Sequence, residues 1–340
     1  MSIVSDPIEA PPLRWGILGA GHIASRFVTA VQLHTRSTVV AVGSRSRERG
    51  EAFAKAHGIG TGHRVGTVHV GYQALVADPA VEAVYVATPH SEHREHALLA
   101  IAAGKHVLVE KAFTRNATEA AEVIEAAHAA GVFLMEAMWT RFLPHVAALR
   151  RVIERGEIGE IVHVAADFGG SPPYDPTDRN FNPALAGGAL LDLGVYSIAF
   201  AQDLLGAPTT VTAVGALAET GVDVQSTVLL GFANRAQATA RSSFLADSPR
   251  TAVVVGTDGR IEVDPEFYAP TTFTVTRRDG ARWRFAEPVG GGMQFEAAEV
   301  ARCVADGRVE SSRVSWASTL EVMRTLDAAR AQLGVVYPGE

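Results

Sequence analysis

The stretch Arg14-Trp15-Gly16-Ile17-Leu18-Gly19-Ala20-Gly21-His22-Ile23-Ala24 decides the fold. Arg14–Leu18 reads as a short apolar strand, and His22–Leu33 carries the spacing of an amphipathic helix. The turn between them has the pattern GxGxxA. Gly19 permits a tight turn, and Gly21 lets backbone approach a pyrophosphate that rests on the N–H groups at the positive end of the helix. Glycine-rich turns also serve packing alone. Here the motif sits between strand and helix near the chain start, the context a dinucleotide site requires. Gly19, Ala20, Gly21, His22 and Ile23 are therefore cofactor-binding candidates.

Outward from this turn, short apolar runs alternate with amphipathic segments up to about residue 140, the mark of βαβ units on a parallel sheet. Strands are expected at 38–42, 65–70, 83–87, 106–109 and 132–135, and helices at 47–57, 92–103 and from Asn116 to before Gly131. Ser46 reads as an N-cap, and Asn116-x-x-Glu119 as the start of a capping box. In a parallel sheet, ligands bind beyond the carboxyl ends of the strands. That rule gathers Gly19–Gly21, Ser44-Arg45, Thr88-Pro89-His90 and Glu110-Lys111 on one edge, with His93 close by. An NAD site commonly places an acid after the second strand, yet none occurs between Arg36 and Arg47. Arg45 instead offers a planar fork suited to a 2′-phosphate, with Ser44 as a second donor, which points to NADP while leaving NAD possible. His90-x-x-His93-x-x-His96 rotates steadily around a helix and lacks a completing ligand, so no metal site is expected.

Near residue 155 the pattern changes to period-two runs joined by turns such as Thr257-Asp258-Gly259 and Arg278-Asp279-Gly280, implying an antiparallel meander. A helix at 187–205 interrupts it, and two more follow at 294–306 and 316–333. The expected fold is thus α/β: an N-terminal Rossmann domain (13–140) plus a C-terminal α+β domain (141–340) with a large, mostly antiparallel, open-faced sheet. Residues 1–12 read as a loose tail, and the last helix is placed to pack back on the first domain. In the 187–205 helix, Asp192 and Tyr196 stand four apart and share a face. An acid on an apolar face needs a partner, and Lys111 across a cleft would supply one.

Composition narrows the functional classes. The chain has 340 residues, 47% hydrophobic, with a formal net charge of −7. That is too large for one core, and it gives no electrostatic case for nucleic acid or an acidic membrane. The single cysteine, Cys303, excludes an intrachain disulfide and fits a reducing compartment. No signal peptide is readable in the proline-rich start, and Asp192, Gly194 and Asp203 break the most apolar stretch, so a cytoplasmic protein is expected.

Together the motifs GAGHIA (19–24), ATPHSEH (87–93), AGKHVLVEKAF (103–113), MEAMWTRFLP (135–144), GGALLDLGVY (187–196) and FEAAEVARC (295–303) resemble the Gfo/Idh/MocA oxidoreductases. These are named for glucose–fructose oxidoreductase, inositol dehydrogenase and rhizopine catabolism. MEAMWTRF and GGALLDLGVY resemble most the branch of dimeric dihydrodiol dehydrogenases and NADP-dependent D-xylose 1-dehydrogenases. The resemblance implies that Lys111, Asp192 and Tyr196 are catalytic, with Tyr196 transferring the proton. It implies that Trp139 and Arg141 border the cofactor or the sugar. It also implies a sugar or cyclic polyol substrate and a homodimer or homotetramer formed through the second-domain sheet. A physiological keto-sugar or anhydro-sugar reductase fits the same residues. A non-catalytic NADP-binding regulator is the reading from another class. Two departures from the family pattern are visible: Glu110-Lys111-Ala112 replaces Glu-Lys-Pro, which is expected to loosen the loop aiming Lys111, and Ala186 replaces a glycine.

Overall fold

The computed structural model describes residues 4–60, 66–287 and 289–340. Six strands form the first sheet: β1 (Arg14–Leu18), β2 (Thr38–Ser44), β3 (Thr67–Val70), β4 (Ala83–Val86), β5 (His106–Val109) and β6 (Leu134–Glu136). The expected start of the third strand, Val65, lies outside the described residues. All neighbours pair in parallel, in the order β3-β2-β1-β4-β5-β6. The chain reverses its direction of sheet growth between β1 and β4, so a crevice opens at the carboxyl ends of those two strands.

The helices around this sheet are α1 (His22–His34), α2 (Arg47–Ala56), α3 (Tyr72–Val76), α4 (His93–Ala102) and α5 (Ala117–Ala130). Ser46 caps α2 by accepting from the Arg49 N–H, and Asn116 caps α5 by accepting from the Glu119 N–H. The short α3 was not expected from sequence, because five residues are too few to show a helical period.

The second sheet has eight strands: β7 (Ile161–Gly169), β8 (Thr210–Leu217), β9 (Asp223–Gly231), β10 (Gln237–Ser243), β11 (Ala252–Gly256), β12 (Gly259–Val263), β13 (Phe273–Arg277) and β14 (Arg282–Phe285). Their order is β14-β13-β12-β11-β7-β10-β9-β8. Six of the seven pairings are antiparallel, and β7 beside β10 is parallel. A simple meander is thereby corrected: β7 comes first in sequence but inserts at the centre. The strand β10, QATARSS, escaped a reading that looks for alternating apolar residues. Val228 and Leu230 point into the core, while Val214 and Leu229 on the other face are exposed.

Four helices join the halves: α6 (Pro144–Glu154), α7 (Val195–Leu205), α8 (Met293–Ala305) and α9 (Trp316–Leu333). Helix α6 has no side-chain N-cap, and the one signal of its start, Pro144 at the first helical position, went unread. Helix α8 packs on α1, and α9 packs on both α5 and β8. The segment Pro183–Leu205 is long and apolar enough to cross a membrane, but it is mostly buried inside the protein, as a core helix. Residues 4–12 are not loose. Ala10 is buried, Arg36 donates to its carbonyl at 2.9 Å, and Arg302 donates to the Asp6 carbonyl at 2.7 Å.

Candidate active site

The nucleotide wall of the crevice is built from backbone. Gly19 sits at φ +99°, and a Cβ there would meet the Ala87 carbonyl oxygen at 2.7 Å, so the turn requires glycine. Gly21 is the N-cap of α1 and offers no side-chain bond to the first helical N–H groups. Nothing within 4 Å would touch a Cβ at Gly21, so the approach to those donors is open. Uncapped donors at the positive end of a helix are what a pyrophosphate needs. Arg45 stands at the rim, its side chain 69% exposed and ion-paired to Glu92 at 2.8 Å. Its neighbour Arg47 pairs with Glu51 at 3.5 Å, one local reason for the basic helix start. Ser44 is buried, and its hydroxyl accepts from the Ser46 N–H at 3.2 Å. The residues present therefore fit a dinucleotide with an anionic adenosine end.

Two histidines expected along this edge face elsewhere. His90 is buried, with one ring nitrogen 3.1 Å from the Ala186 carbonyl oxygen and the other 3.2 Å from that of Lys111. His93 is likewise held between the Ala112 and Thr88 carbonyl oxygens, at 2.9 and 2.8 Å. Burial pushes their pKa values down to about 4 and about 3 respectively. Both ring nitrogens of each histidine face backbone carbonyls, and a neutral ring can donate to one of its two. Together they grip the Lys111–Ala112 loop, whose peptide bond is cis. Neither contact depends on a proline at position 112. Thr88 is half-buried, with its hydroxyl 3.0 Å from His96 Nδ1, and Pro89 leads into the turn at His90. Among the described residues, no group of three His, Cys, Asp or Glu could hold a metal ion.

The opposite wall brings three charged groups together. Lys111 Nζ donates to Asp192 Oδ1 at 2.9 Å and to the Asp192 carbonyl at 2.6 Å, with both side chains largely shielded. The same ammonium lies 4.9 Å from the centroid of the Tyr196 ring. Arg179 approaches Asp192 from the far side, at 3.4 Å. Burial alone would raise the Asp192 pKa, but Lys111, Arg179 and His90 outweigh it and hold the carboxyl well below the usual range. Asp192 is thus a fixed anion.

Tyr196 is buried, and its hydroxyl accepts from the Trp139 indole N–H at 3.1 Å. Burial first and the Glu110 carboxylate second push its pKa well above that of free tyrosine, while the Trp139 bond pulls the other way. Lys111 thus meets the face of the phenol ring rather than its oxygen, which sequence reasoning did not foresee. Glu110 is buried behind the lysine, accepting from the Tyr85 hydroxyl and, at 3.1 Å, from the Lys111 N–H.

Local structure explains how Asp192 and Tyr196 arrive there. The chain enters α7 through a π-helical turn, Leu190–Gly194, rather than a regular α-helix. The Gly188 carbonyl accepts from the Asp192 N–H at 3.3 Å. Wide turns of this kind recur at functional sites.

The Arg141 guanidinium is buried, 3.6 Å from Asp203 and donating to Ser318 Oγ at 3.0 Å. Trp139 is closer to expectation, stacked under Arg26 at 5.3 Å while holding Tyr196. Sequence reasoning missed both Arg179 and Arg26. Arg179 lies in a loop of Asp, Asn and Pro residues with no period to read, and Arg26 looks like an ordinary residue of an amphipathic helix.

Comparison with known proteins bears on this geometry. A model described as "Oxidoreductase family, NAD-binding Rossmann fold" matches residues 13–138, and one described as "GFO/IDH/MocA C-terminal domain" matches residues 146–262. The chain belongs to the GFO/IDH/MocA oxidoreductase family. Trans-1,2-dihydrobenzene-1,2-diol dehydrogenase of Mus musculus is a family relative 38% identical over 96% of this chain and 98% of its own length. The Danio rerio protein of the same name is 36% identical over the same 96% and 98%. Among solved structures, the 3-ketoreductase KijD10 of Actinomadura kijaniata, in complex with NADP and TDP-benzene, aligns with a TM-score of 0.83 and 29% identity, covering 94% of this chain and 98% of that one. Aldose-aldose oxidoreductase from Caulobacter crescentus aligns with a TM-score of 0.84 and 28% identity, covering 95% and 98%. This GFO/IDH/MocA chain is accordingly an NAD(P)-dependent oxidoreductase, with a parallel nucleotide-binding sheet and a large second sheet.

Proposed function

We propose that the chain is an NADP-dependent dehydrogenase or reductase acting on a CH–OH group of a sugar or cyclic polyol, with Lys111, Asp192 and Tyr196 as its catalytic residues. The observation that carries this reading is the contact of Lys111 with both Asp192 and the Tyr196 ring, joining the two halves of the protein across the crevice. The names of the relatives, a dihydrodiol dehydrogenase and sugar oxidoreductases, support the substrate class.

In this reading Gly19, Ala20, Gly21, His22 and Ile23 cradle the pyrophosphate, and Arg45 with Ser44 selects the 2′-phosphate. Thr88, Pro89, Glu110 and Trp139 shape the edge around the reacting end. Bound NADP supplies a ring that takes or gives a hydride. Lys111, fixed by Asp192 through two hydrogen bonds, presents its one remaining ammonium proton to the substrate oxygen. Tyr196 exchanges the proton: as phenol it gives one to a carbonyl oxygen, and as phenolate it takes one from a hydroxyl. Trp139 N–H on the phenol oxygen and Lys111 over the ring both favour the phenolate, opposing the effect of burial. Asp192 stays charged throughout and orients the lysine and Arg179.

Burial keeps Tyr196 protonated, so the phenol is the form that first meets a bound substrate, whichever way the hydride then moves. The retained triad speaks against a regulator without turnover. The exposed Val214 and Leu229 on the open sheet face support a homodimer or homotetramer contact there. The functional test is a spectrophotometric screen of aldoses, keto-sugars, anhydro-sugars and cyclic vicinal diols with NADP(H) and NAD(H), alongside NADPH binding by fluorescence. NADPH binding without turnover of any of them would overturn the enzymatic reading, and light scattering of the native protein would test the oligomer.

A further inference from the structure

Lys111 and Asp192 belong to different halves of the chain, yet their charged atoms stand 2.9 Å apart with both side chains largely shielded. The Asp192 side depends on the turn Ala186-Gly187-Gly188, which leads directly into the π-helical turn. Two structures outside the triad hold that turn.

The first is His90. Its ring spans the gap between the Ala186 carbonyl oxygen at 3.1 Å and the Lys111 carbonyl oxygen at 3.2 Å. Kept neutral by burial, the imidazole carries a single N–H, so it donates to one of these carbonyls and packs against the other, touching the backbone of both loops that deliver the charged pair.

The second is the segment after α9. Tyr337 is buried, and its hydroxyl donates to the Gly187 carbonyl at 2.7 Å. Its ring is covered by the Arg330 guanidinium at 4.7 Å. Arg330 grips the Glu340 carboxylate at 2.7 and 2.8 Å, and that carboxylate also accepts from the Tyr337 N–H at 3.0 Å. The segment is tied equally to the nucleotide half. Asn116 Nδ2 donates to Glu340 Oε1 at 2.8 Å, and Arg115 Nη1 donates to the Pro338 carbonyl at 2.7 Å. Arg115 and Asn116 follow Lys111 by four and five positions on the same connection. Asp223, fully buried on β9, completes the arrangement by accepting from the Leu190 N–H at 2.7 Å, which caps the π-helical turn at its start.

We propose that His90 and Tyr337 are positioning residues: together they brace the Gly187 turn against the Lys111 loop and so set the Lys111–Asp192 contact. The brace works through four backbone segments without touching the reacting atoms. Removing either strut lets the two halves of the crevice part, so Lys111 spends part of its time without its carboxylate partner. Its value to the protein rests on Lys111 and Asp192 being the working pair, but its existence does not.

The test needs no substrate. The chain contains three lysines, Lys55, Lys105 and Lys111, so acylation by an amine-reactive ester at neutral pH can be followed at each by mass spectrometry. In the unaltered protein Lys111 reacts slowly, because Asp192 and its carbonyl occupy the ammonium and the side chain is only 10% exposed. Tyr337→Phe, which removes one hydroxyl, is expected to speed Lys111 acylation about fivefold or more. His90→Ala should do the same, with Lys55 and Lys105 unchanged in both. A general loosening would raise Lys105 as well, since its ammonium is held by the Asp78 and Val81 carbonyls. Unchanged Lys111 reactivity in both variants, or a parallel rise at Lys105, overturns the brace. NADPH affinity, measured on the same samples, separates the two ideas. Loss of NADPH binding by the unaltered protein would sink the cofactor reading and leave the labelling result to judge the brace alone.

Discussion

The two walls of the crevice are built on opposite principles. The nucleotide wall offers backbone N–H groups, an open glycine and an arginine that reaches into solvent. The facing wall offers side chains that are already buried and already paired, partly with residues reaching across from the nucleotide half: Asp192 on Lys111 and Arg179, Tyr196 on Trp139. An open, uncommitted wall suits a large ligand that brings its own charge and must come and go. A closed, pre-paired wall suits proton transfer, because its groups need little rearrangement when charge develops. The difference teaches where substitutions are expected to hurt binding and where they are expected to hurt turnover.

The sharpest way to break that contrast is Lys111→Ala. It strands the buried Asp192 anion and removes the group that faces the substrate oxygen, so turnover should vanish while NADPH fluorescence titrations stay within about threefold of the unaltered protein. Turnover that survives would move the chemistry elsewhere. Tyr196→Phe is expected to cost about 10²–10⁴ in rate, the usual worth of a positioned acid–base group, again with binding unchanged. The same tyrosine sets a pH dependence. Its folded-state pKa is raised, so the phenolate needed for alcohol oxidation becomes more populated as pH rises through 8 to 10, whereas carbonyl reduction, which uses the phenol, should not gain. Initial rates in the two directions across that range check the sign; an oxidation rate that falls with pH would remove Tyr196 as the base.

Smaller effects belong to the open wall. Arg45→Ala should weaken NADPH binding about 10–100-fold, the worth of a charge-assisted bond or two, leave NADH nearly unaffected, and spare turnover at saturating cofactor. Equal losses for both cofactors would deny Arg45 its selective role. Glu92→Gln should act in the other direction and least of all. It frees Arg45 from an exposed ion pair worth about 0.2–1 kcal/mol, so NADPH should bind about 1.5–5-fold more tightly in competition titrations against NADH.

Both walls were legible in the sequence, but unequally. The first sheet could be read almost strand by strand, because βαβ units announce themselves through apolar runs and caps such as Ser46 and Asn116. The Gly19–Gly21 turn could be placed because its spacing has a mechanism. Lys111, Asp192 and Tyr196 could be brought together because a buried acid on an apolar face demands a cation, and the sheet edge offered one. What stayed hidden depended on three-dimensional closure. His90 and Arg141 are polar residues beside conspicuous motifs, and sequence cannot tell a side chain that faces a ligand from one that satisfies a backbone carbonyl two layers down. β10 hid because its inward residues are alanines and serines, small enough to fit beside β7 and α7 yet too small to show a period. The imidazole contacts to the Lys111 and Ala112 carbonyls hid too, because no local pattern announces which histidine meets which loop.

The π-helical turn at Leu190–Gly194 carries a consequence for how this site could change over generations. Such a turn accommodates one residue more than a regular helix would. Deleting a single residue between Asp192 and Tyr196 would let the coil regularise and turn the carboxylate by about 100° relative to the phenol. The phenol and the carboxylate could then no longer greet the same ammonium. Variation that lengthens or shortens the chain should therefore gather in the surface hairpins around Thr257 and Arg278, and avoid this one coil altogether.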